Sequence, residues 1–394
     1  MIKAASVHTT IIDDMSLACR DLKDQLDEKL TLLSNSVGII QCDPEFIEAG
    51  IMSLLSNALD IPLVGGTTVS IAANNNIGDL MFSLFVLTSD DVEFAASCTT
   101  GLADDYAGAI RRSMKTSLEA SEKPLKMALV FPTVTDNDNL PGDIYVEAVE
   151  SVCGNIPVFG TLSVDDALVQ YDRSMSVFNN EAYKRELSYV LIFGNVNPRF
   201  FVATVPTQSN IIDSNAVITR ANGHIIHDIN NMSAYDYFEC LGFVTDGKLK
   251  PGVYFVPLLI TKKGADGVNR TFVRALLNFN ADGSALCRGK IPEGAQIAFG
   301  SLQSSDILAA TSEVVTQINQ EQDVDTALIF SCLIRRLNIG SDEMKELAII
   351  KDSMRADIPF MASYSGGEIC PIGCSSKGTH LNSFHNYSLI ACLL

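Results

Sequence analysis

Positive charge is in short supply: 28 lysines and arginines face 47 aspartates and glutamates, a formal net charge of −19. Such a surface repels phosphate backbones and anionic headgroups, which argues against nucleic acid as a partner. No uninterrupted apolar run approaches the ~20 residues that cross a bilayer, so membrane insertion is not expected. The opening stretch MIKAASVHTTIIDDMS has no basic region followed by an apolar core and cleavage site, and the expected location is cytoplasmic. Proline-, glutamine- and serine-rich tracts are missing, which excludes a disordered chain. Also missing are a GxSxG nucleophile elbow, HExxH, the phosphate loop GxxxxGK[ST] and CxxCH. The ten cysteines are scattered, mostly inside apolar stretches, as expected of buried reduced thiols. The closest pair, Cys370 and Cys374 in CPIGC, has the wrong spacing for a zinc knuckle, and no metal site is expected.

A segment built three times dominates what is present. IPLVGGTTVS (61–70), IPVFGTLSVD (156–165) and IPFMASYSGG (358–367) each open with Ile-Pro, continue apolar and turn to small or hydroxyl-bearing residues. Proline is tolerated at the first residue of a strand, where its missing N–H breaks no ladder bond. Each segment follows an amphipathic helical stretch, FIEAGIMSLLSNALD, GDIYVEAVESVCGN or SDEMKELAIIKDSMRAD. A short apolar strand comes before each helix: SVGIIQC, KMALVFP or TALIFSC. Further upstream lie KAASVHTT, VEFAASCTT and QIAFGSL, each followed by another helical stretch. The unit is strand, helix, strand, helix, Ile-Pro strand, then a closing strand: DLMFSLFVL, SYVLIFGN or NYSLIACLL. Ser6 to Ile61, Ser97 to Ile156 and Ser301 to Ile358 are nearly equal steps.

The pattern predicts an α/β fold with mixed β-sheets covered by helices and two tandem domains. Residues 1–235 hold two units, 1–90 and 91–205. Residues 236–394 hold a β-rich part, 245–295, marked by GVYFVPLLI, TFVRALLNFN and Asp-Gly turns at 266–267 and 282–283, and a third unit, 296–394.

FSCLIRR (330–336), IPFMASYSGGEICP and FHNYSL together resemble the FIST family, named for F-box and intracellular signal transduction proteins. The likeness covers nearly the whole chain, residues 1–235 looking like the FIST N half and 236–394 like the FIST C half. Cys332, Arg335, Gly367, Glu368, His385 and Asn386 keep the family pattern; Ile334, Ala362 and Gly366 depart from it. The resemblance implies a sensory module that binds a small polar molecule such as an amino acid and signals to a separate protein such as a histidine kinase. It implies no catalytic apparatus. Some family members resemble haem-based nitric-oxide sensors, which makes haem an alternative cofactor and His385 its candidate axial ligand.

The residues themselves leave two readings open at each position. Gly65, Gly66, Gly160, Gly366 and Gly367 either admit a ligand to the backbone, helped by the hydroxyls of Thr67, Thr161 and Ser365, or relieve crowding where strands cross. Glu368 precedes Ile369 and is expected to be partly buried, so it needs a partner or a proton. Arg335 is the expected partner, as a structural ion pair or as a ligand anchor. Cys332 with His380 or His385 imitates a Cys-His nucleophile pair, against which stands its apolar setting. His385 is otherwise a hydrogen-bonded structural histidine, and His224 and His227 in GHIIHD are ordinary hairpin residues. The resulting expectation is a cleft where Ile-Pro strand ends from both halves converge.

Overall fold

A computed structural model describes residues 1–133, 142–165, 172–204, 212–250, 252–253, 256–264, 267–374 and 380–394. Tyr254 and Phe255 of the expected GVYFVPLLI strand, Asp266 of one Asp-Gly pair and the Cys374 side chain lie outside them. The mixed α/β architecture is present as three six-stranded sheets and one larger β-system.

Each six-stranded sheet is organised around one Ile-Pro strand. Leu63–Thr67, Val158–Thr161 and Phe360–Ser365 pair in parallel with the middle strands Asn35–Cys42, Leu125–Pro132 and Ala327–Cys332. The register is the same three times: the residue after proline, Leu63, Val158 or Phe360, sits opposite Gly38, Ala128 or Ala327. The proline carbonyls then accept from those same residues, Gly38 N at 2.8 Å, Ala128 N at 3.0 Å and Ala327 N at 3.1 Å. Proline begins each strand because its carbonyl is needed and its missing N–H is not. The closing strands Phe82–Ser89, Leu187–Phe193 and Leu389–Leu393 run antiparallel on the other side of each middle strand.

No unit completes its own sheet. The hairpin after the first Ile-Pro strand, Ile71–Ala73 with Asn76–Gly78, pairs with Phe360–Ser365 in the third sheet. The hairpin of the second unit, Ser176–Phe178 with Glu181–Tyr183, pairs with Leu63–Thr67 in the first. The hairpin of the third, Glu368–Cys374 with His380–His385, pairs with Val158–Thr161 in the second. The exchange is cyclic and joins the three sheets around one apolar centre, in which Val64 and Phe85 meet Phe131 and Phe159, and Phe330 and Met361. Phe159 stacks on Phe330 with centroids 5.4 Å apart. The outer face of each sheet is covered by its own helices: Met15–Lys29 and Ile51–Ala58, Tyr106–Leu118 and Asp143–Cys153, Ser304–Gln320 and Lys345–Ser353. Asp14 and Asp105 start two of these by accepting from Leu17 N and Gly108 N, each at 2.9 Å.

The third unit differs from expectation at its start. Gln296–Phe299 is the strand foreseen in QIAFGSL, but it pairs with Ile212–Asn222 and Leu258–Lys263. The outer position in the third sheet belongs to Arg199–Ala203, which pairs with Leu389–Leu393 and had been read as the tail of the second unit. Between this strand and the helix Ser304–Gln320 the chain builds a barrel. Ile212–Asn222, Gln296–Phe299, Leu258–Lys263, Asn269–Phe279, Ala285–Arg288 and Ile225–Ile229 follow in order, and the last pairs back onto the first. The helix Ala234–Cys240 places Tyr237 and Phe238 against the barrel core. The division foreseen between residues 235 and 236 falls within this helix. A spacing that counts residues cannot see that an insertion has replaced one strand with another of similar composition.

The Ile-Pro strands run close to their neighbours where they carry glycine. Gly65 has φ +142°, and a methyl group there would overlap the carbonyl of Ile40. Gly65→Ala is therefore expected to cost about 3 kcal/mol of stability from overlap and backbone strain together. Gly101, at φ +75° with nothing near its absent side chain, serves as the control. Gly101→Ala should cost about 1 kcal/mol, and equal losses of thermal midpoint for the two variants would contradict this packing.

Candidate functional site

The central apolar core ends in polar residues, and all three Ile-Pro strands end it the same way. Side chains alternate along a strand, so Gly66 follows Val64 on the central face, Thr161 and Ser163 follow Phe159, and Ser363 and Ser365 follow Met361. The strand ends touch. Thr68 Oγ1 donates to Tyr364 O at 2.6 Å, Val164 N to Thr67 O at 3.0 Å, and Leu162 N to Gly367 O at 2.9 Å. Gly366 N returns a bond to Leu162 O at 2.9 Å. The strand ends of the 65, 160 and 367 regions therefore meet through direct hydrogen bonds.

The glycines there are close-packed against protein atoms. Side chains at Gly66 and Gly160 would overlap Ser163 Oγ and the Val130 carbonyl, and one at Gly367 would strike the Phe384 ring. Thr67 is buried and bonds Met175, accepting from its N at 3.0 Å. Three other hydroxyls in this layer are buried without any partner: Thr161 Oγ1, Ser163 Oγ and Ser174 Oγ. An unpaired buried hydroxyl costs roughly 1–3 kcal/mol, and three of them lie in this one region.

Glu368 lies beside this layer, opposite Thr161 in the strand register. It is fully buried. Ser365 Oγ donates to Oε1 at 3.0 Å, Ser388 N to Oε2 at 3.4 Å, and the Cys332 thiol also bonds it. Desolvation pushes its carboxyl well above the usual range, outweighing these bonds, and the group is held as a neutral acid. Burial likewise pushes the Cys332 thiol up, so no thiolate is available for nucleophilic attack.

Arg335 is not the partner of Glu368. The guanidinium is wholly buried and lies on Glu346, with Nε at 3.0 Å and Nη2 at 2.7 Å from Oε1. Thr311 Oγ1 and the carbonyls of Ile307 and Tyr387 take its remaining donors, and Ser331 Oγ donates to Glu346 Oε2 at 2.9 Å. The helix Leu333–Ile339 turns Arg335 away from Glu368 and towards the helices 304–320 and 345–353. Glu346 escaped the sequence reading because its neighbours in SDEMKELAIIKDS are charged. The available signal was its place four residues before Ile350 on the apolar stripe of that helix.

His385 pairs with Glu368 across the terminal hairpin, and its Nε2 donates to Cys370 O at 3.0 Å. Desolvation lowers its pKa to about 4, so the ring is neutral. With Nε2 committed to a carbonyl inside a strand pair, His385 as held here does not fit the axial position of a haem. Asn386 ties the strand to the barrel: its Oδ1 accepts from Ala275 N at 3.2 Å, while Nδ2 donates to His385 O.

The family model of the FIST N domain matches residues 36–232, and that of the FIST C domain matches residues 232–371. The chain belongs to the FIST family. No curated protein gives a significant match. FIST domains are associated with sensory signal transduction. The FIST N and FIST C matches meet inside the barrel, and no helix among the described residues is long and apolar enough to cross a membrane.

Two predictions follow from the buried charges. Below the unfolded carboxyl value of 4.5 both states hold the Glu368 proton; above it the unfolded chain releases the proton and the folded chain keeps it. Stability should therefore fall as pH rises, until Glu368 ionises in the fold. Glu368→Gln should flatten that slope and raise the thermal midpoint most at alkaline pH; an unchanged profile would show that the acid is ionised. Glu346→Ala should destabilise by about 3–5 kcal/mol because it strands the Arg335 guanidinium in the core, and chemical denaturation would measure this.

Proposed function

We propose that this FIST protein is a sensory module that takes up a small polar molecule, such as an amino acid, at the polar end of its central core and signals to a separate output protein. A histidine kinase is the kind of partner meant. One observation carries the reading: the unpaired hydroxyls of Thr161, Ser163 and Ser174 lie at the junction of strand ends from all three units. A guest there would touch both the FIST N and FIST C regions. Its hydrogen bonds would supply what those hydroxyls lack, and its ammonium or carboxylate would meet the neutral acid of Glu368 and the hydroxyl of Ser365.

The hairpin exchange supports a reporting role. The site lies where each sheet receives a hairpin from another unit, so a shift of one strand end is felt by two sheets. Cys332 and Glu368 are both held protonated by burial, which favours binding over catalysis.

Thermal-shift screening against the proteinogenic amino acids tests the proposal. A true ligand at a hundred times its dissociation constant stabilises by about 2.7 kcal/mol. Thr161→Val removes a hydroxyl that has no partner in the protein, so the ligand-free variant should melt at or above the wild-type temperature while losing most of the ligand shift. A full shift in Thr161→Val and in Ser163→Ala would place the ligand elsewhere.

A further inference from the structure

A cleft of about 600 Å³ opens between the first and third units, within the roughly 300–1,000 Å³ usual for small-molecule sites. The first unit lines it with Ala4, Ala5 and Ser6 of its outer strand Lys3–Thr9, with Lys29 at the end of the helix Met15–Lys29, and with the turn residues Asn74 and Asn75. The third unit lines it from residues 351–360, which run from the helix Lys345–Ser353 into the Ile-Pro strand.

The unmet polar groups belong to the first unit. Ala5 and Val7 pack beneath the helices and Ala4 against the central cluster, so Ser6 follows Ala4 on the central face of its strand. Ser6 is 1% exposed, and its Oγ has no partner. Lys29 Nζ donates to Ser6 O at 3.2 Å, which uses one of its three N–H groups, and it enters no ion pair among the described residues. The Asn74 amide donates to the same carbonyl, which stays satisfied when Lys29 turns to a guest. The charges of the third unit are already matched. Lys351 pairs with Asp352, and Arg355 pairs with Asp357 while its Nη1 donates to the carbonyls of Asn319 and Glu321 at 3.1 and 3.0 Å. What the cleft offers is one ammonium without a counter-charge, one free hydroxyl, two side-chain amides, and the apolar Met354, Pro359 and Phe360.

We propose that this cleft binds a sugar acid, a hydroxylated ring bearing one carboxylate. The carboxylate pairs with Lys29, whose single unmatched charge suits a single negative one. Ring hydroxyls both donate and accept, as do the Ser6 hydroxyl and the Asn74 and Asn75 amides that receive them. The C–H faces of the ring lie along Met354, Pro359 and Phe360. Asn74 and Asn75 fall in the FIST N match and residues 351–360 in the FIST C match, so a guest here touches both. The inference is independent of the polar-end site, with which this lining shares no residue.

Isothermal titration of the full chain with D-glucuronate tests it, with D-glucose as the ring without the carboxylate and cyclohexanecarboxylate as the carboxylate without the hydroxyls. Glucuronate should bind one to one and weaken with salt, and both comparisons should bind about tenfold more weakly or worse. Ser6→Ala removes a hydroxyl that has no partner in the protein, so it should lose about tenfold in affinity while melting at or above the wild-type temperature. Lys29→Gln should lose a similar factor together with the salt dependence, whereas Thr161→Val should bind as the wild type does. Glucose or cyclohexanecarboxylate binding as tightly as glucuronate, undiminished binding by Ser6→Ala or Lys29→Gln, or no binding of glucuronate at millimolar concentration would each overturn the proposal. An amino-acid response lost in Thr161→Val reports on the other site alone.

Discussion

The parallel pairing of each Ile-Pro strand with its middle strand, locked by a proline carbonyl, is the contact on which the molecule is built. It fixes the register of three sheets and leaves each with an open edge beyond the Ile-Pro strand. An open edge must be covered or paired. Here a hairpin from another unit pairs with it, in a cycle that uses every hairpin once. Separating the units would expose three sheet edges and one apolar centre together, so the three-unit body is a cooperative structure despite its length.

That geometry also decides what lies at the centre. Three apolar rows converge, and each ends in glycine, threonine or serine because bulkier side chains would collide where the strand ends cross. Small hydroxyl residues fit the space but bring polar atoms that need partners. Some find them, as Thr68 does on Tyr364, and others do not. Close by, two buried carboxyl groups solve the problem of burial in opposite ways. Glu346 holds a buried arginine, whereas Glu368 has hydroxyl, thiol and amide donors in place of a cation, and burial pushes its carboxyl well above the usual range. The first arrangement fastens helices to a sheet, and the second keeps a polar, uncharged surface beside the strand ends.

The barrel adds a second level. It is inserted between the outer strand and first helix of the third unit, and it returns to the body through Arg274, Ala275 and Asn386. Its seat combines those polar bonds with an apolar cluster in which Leu259, Val273 and Ala275 of the barrel pack on Tyr387 of the body.

Much of this was legible in the residues. Ile-Pro followed by apolar and then small residues identified three strands, helical periodicity identified their covers, and the order FSCLIRR, GGEICP, FHNYSL pointed to the family. The meeting of the three strand ends was also foreseen, whereas Glu368, expected to be partly buried, is fully buried. The hairpin exchange was not, because a hairpin's own sequence does not record which edge it pairs with. Arg335 was assigned to the wrong carboxylate because Glu368 is near in the motif while Glu346 is near in space. Local propensity and periodicity depend on neighbours a few residues apart, and these the sequence determined by itself. Which charges share a cavity, which edge takes which hairpin and which buried acid meets a cation depend on chain segments far apart in sequence, so only the tertiary packing decided them.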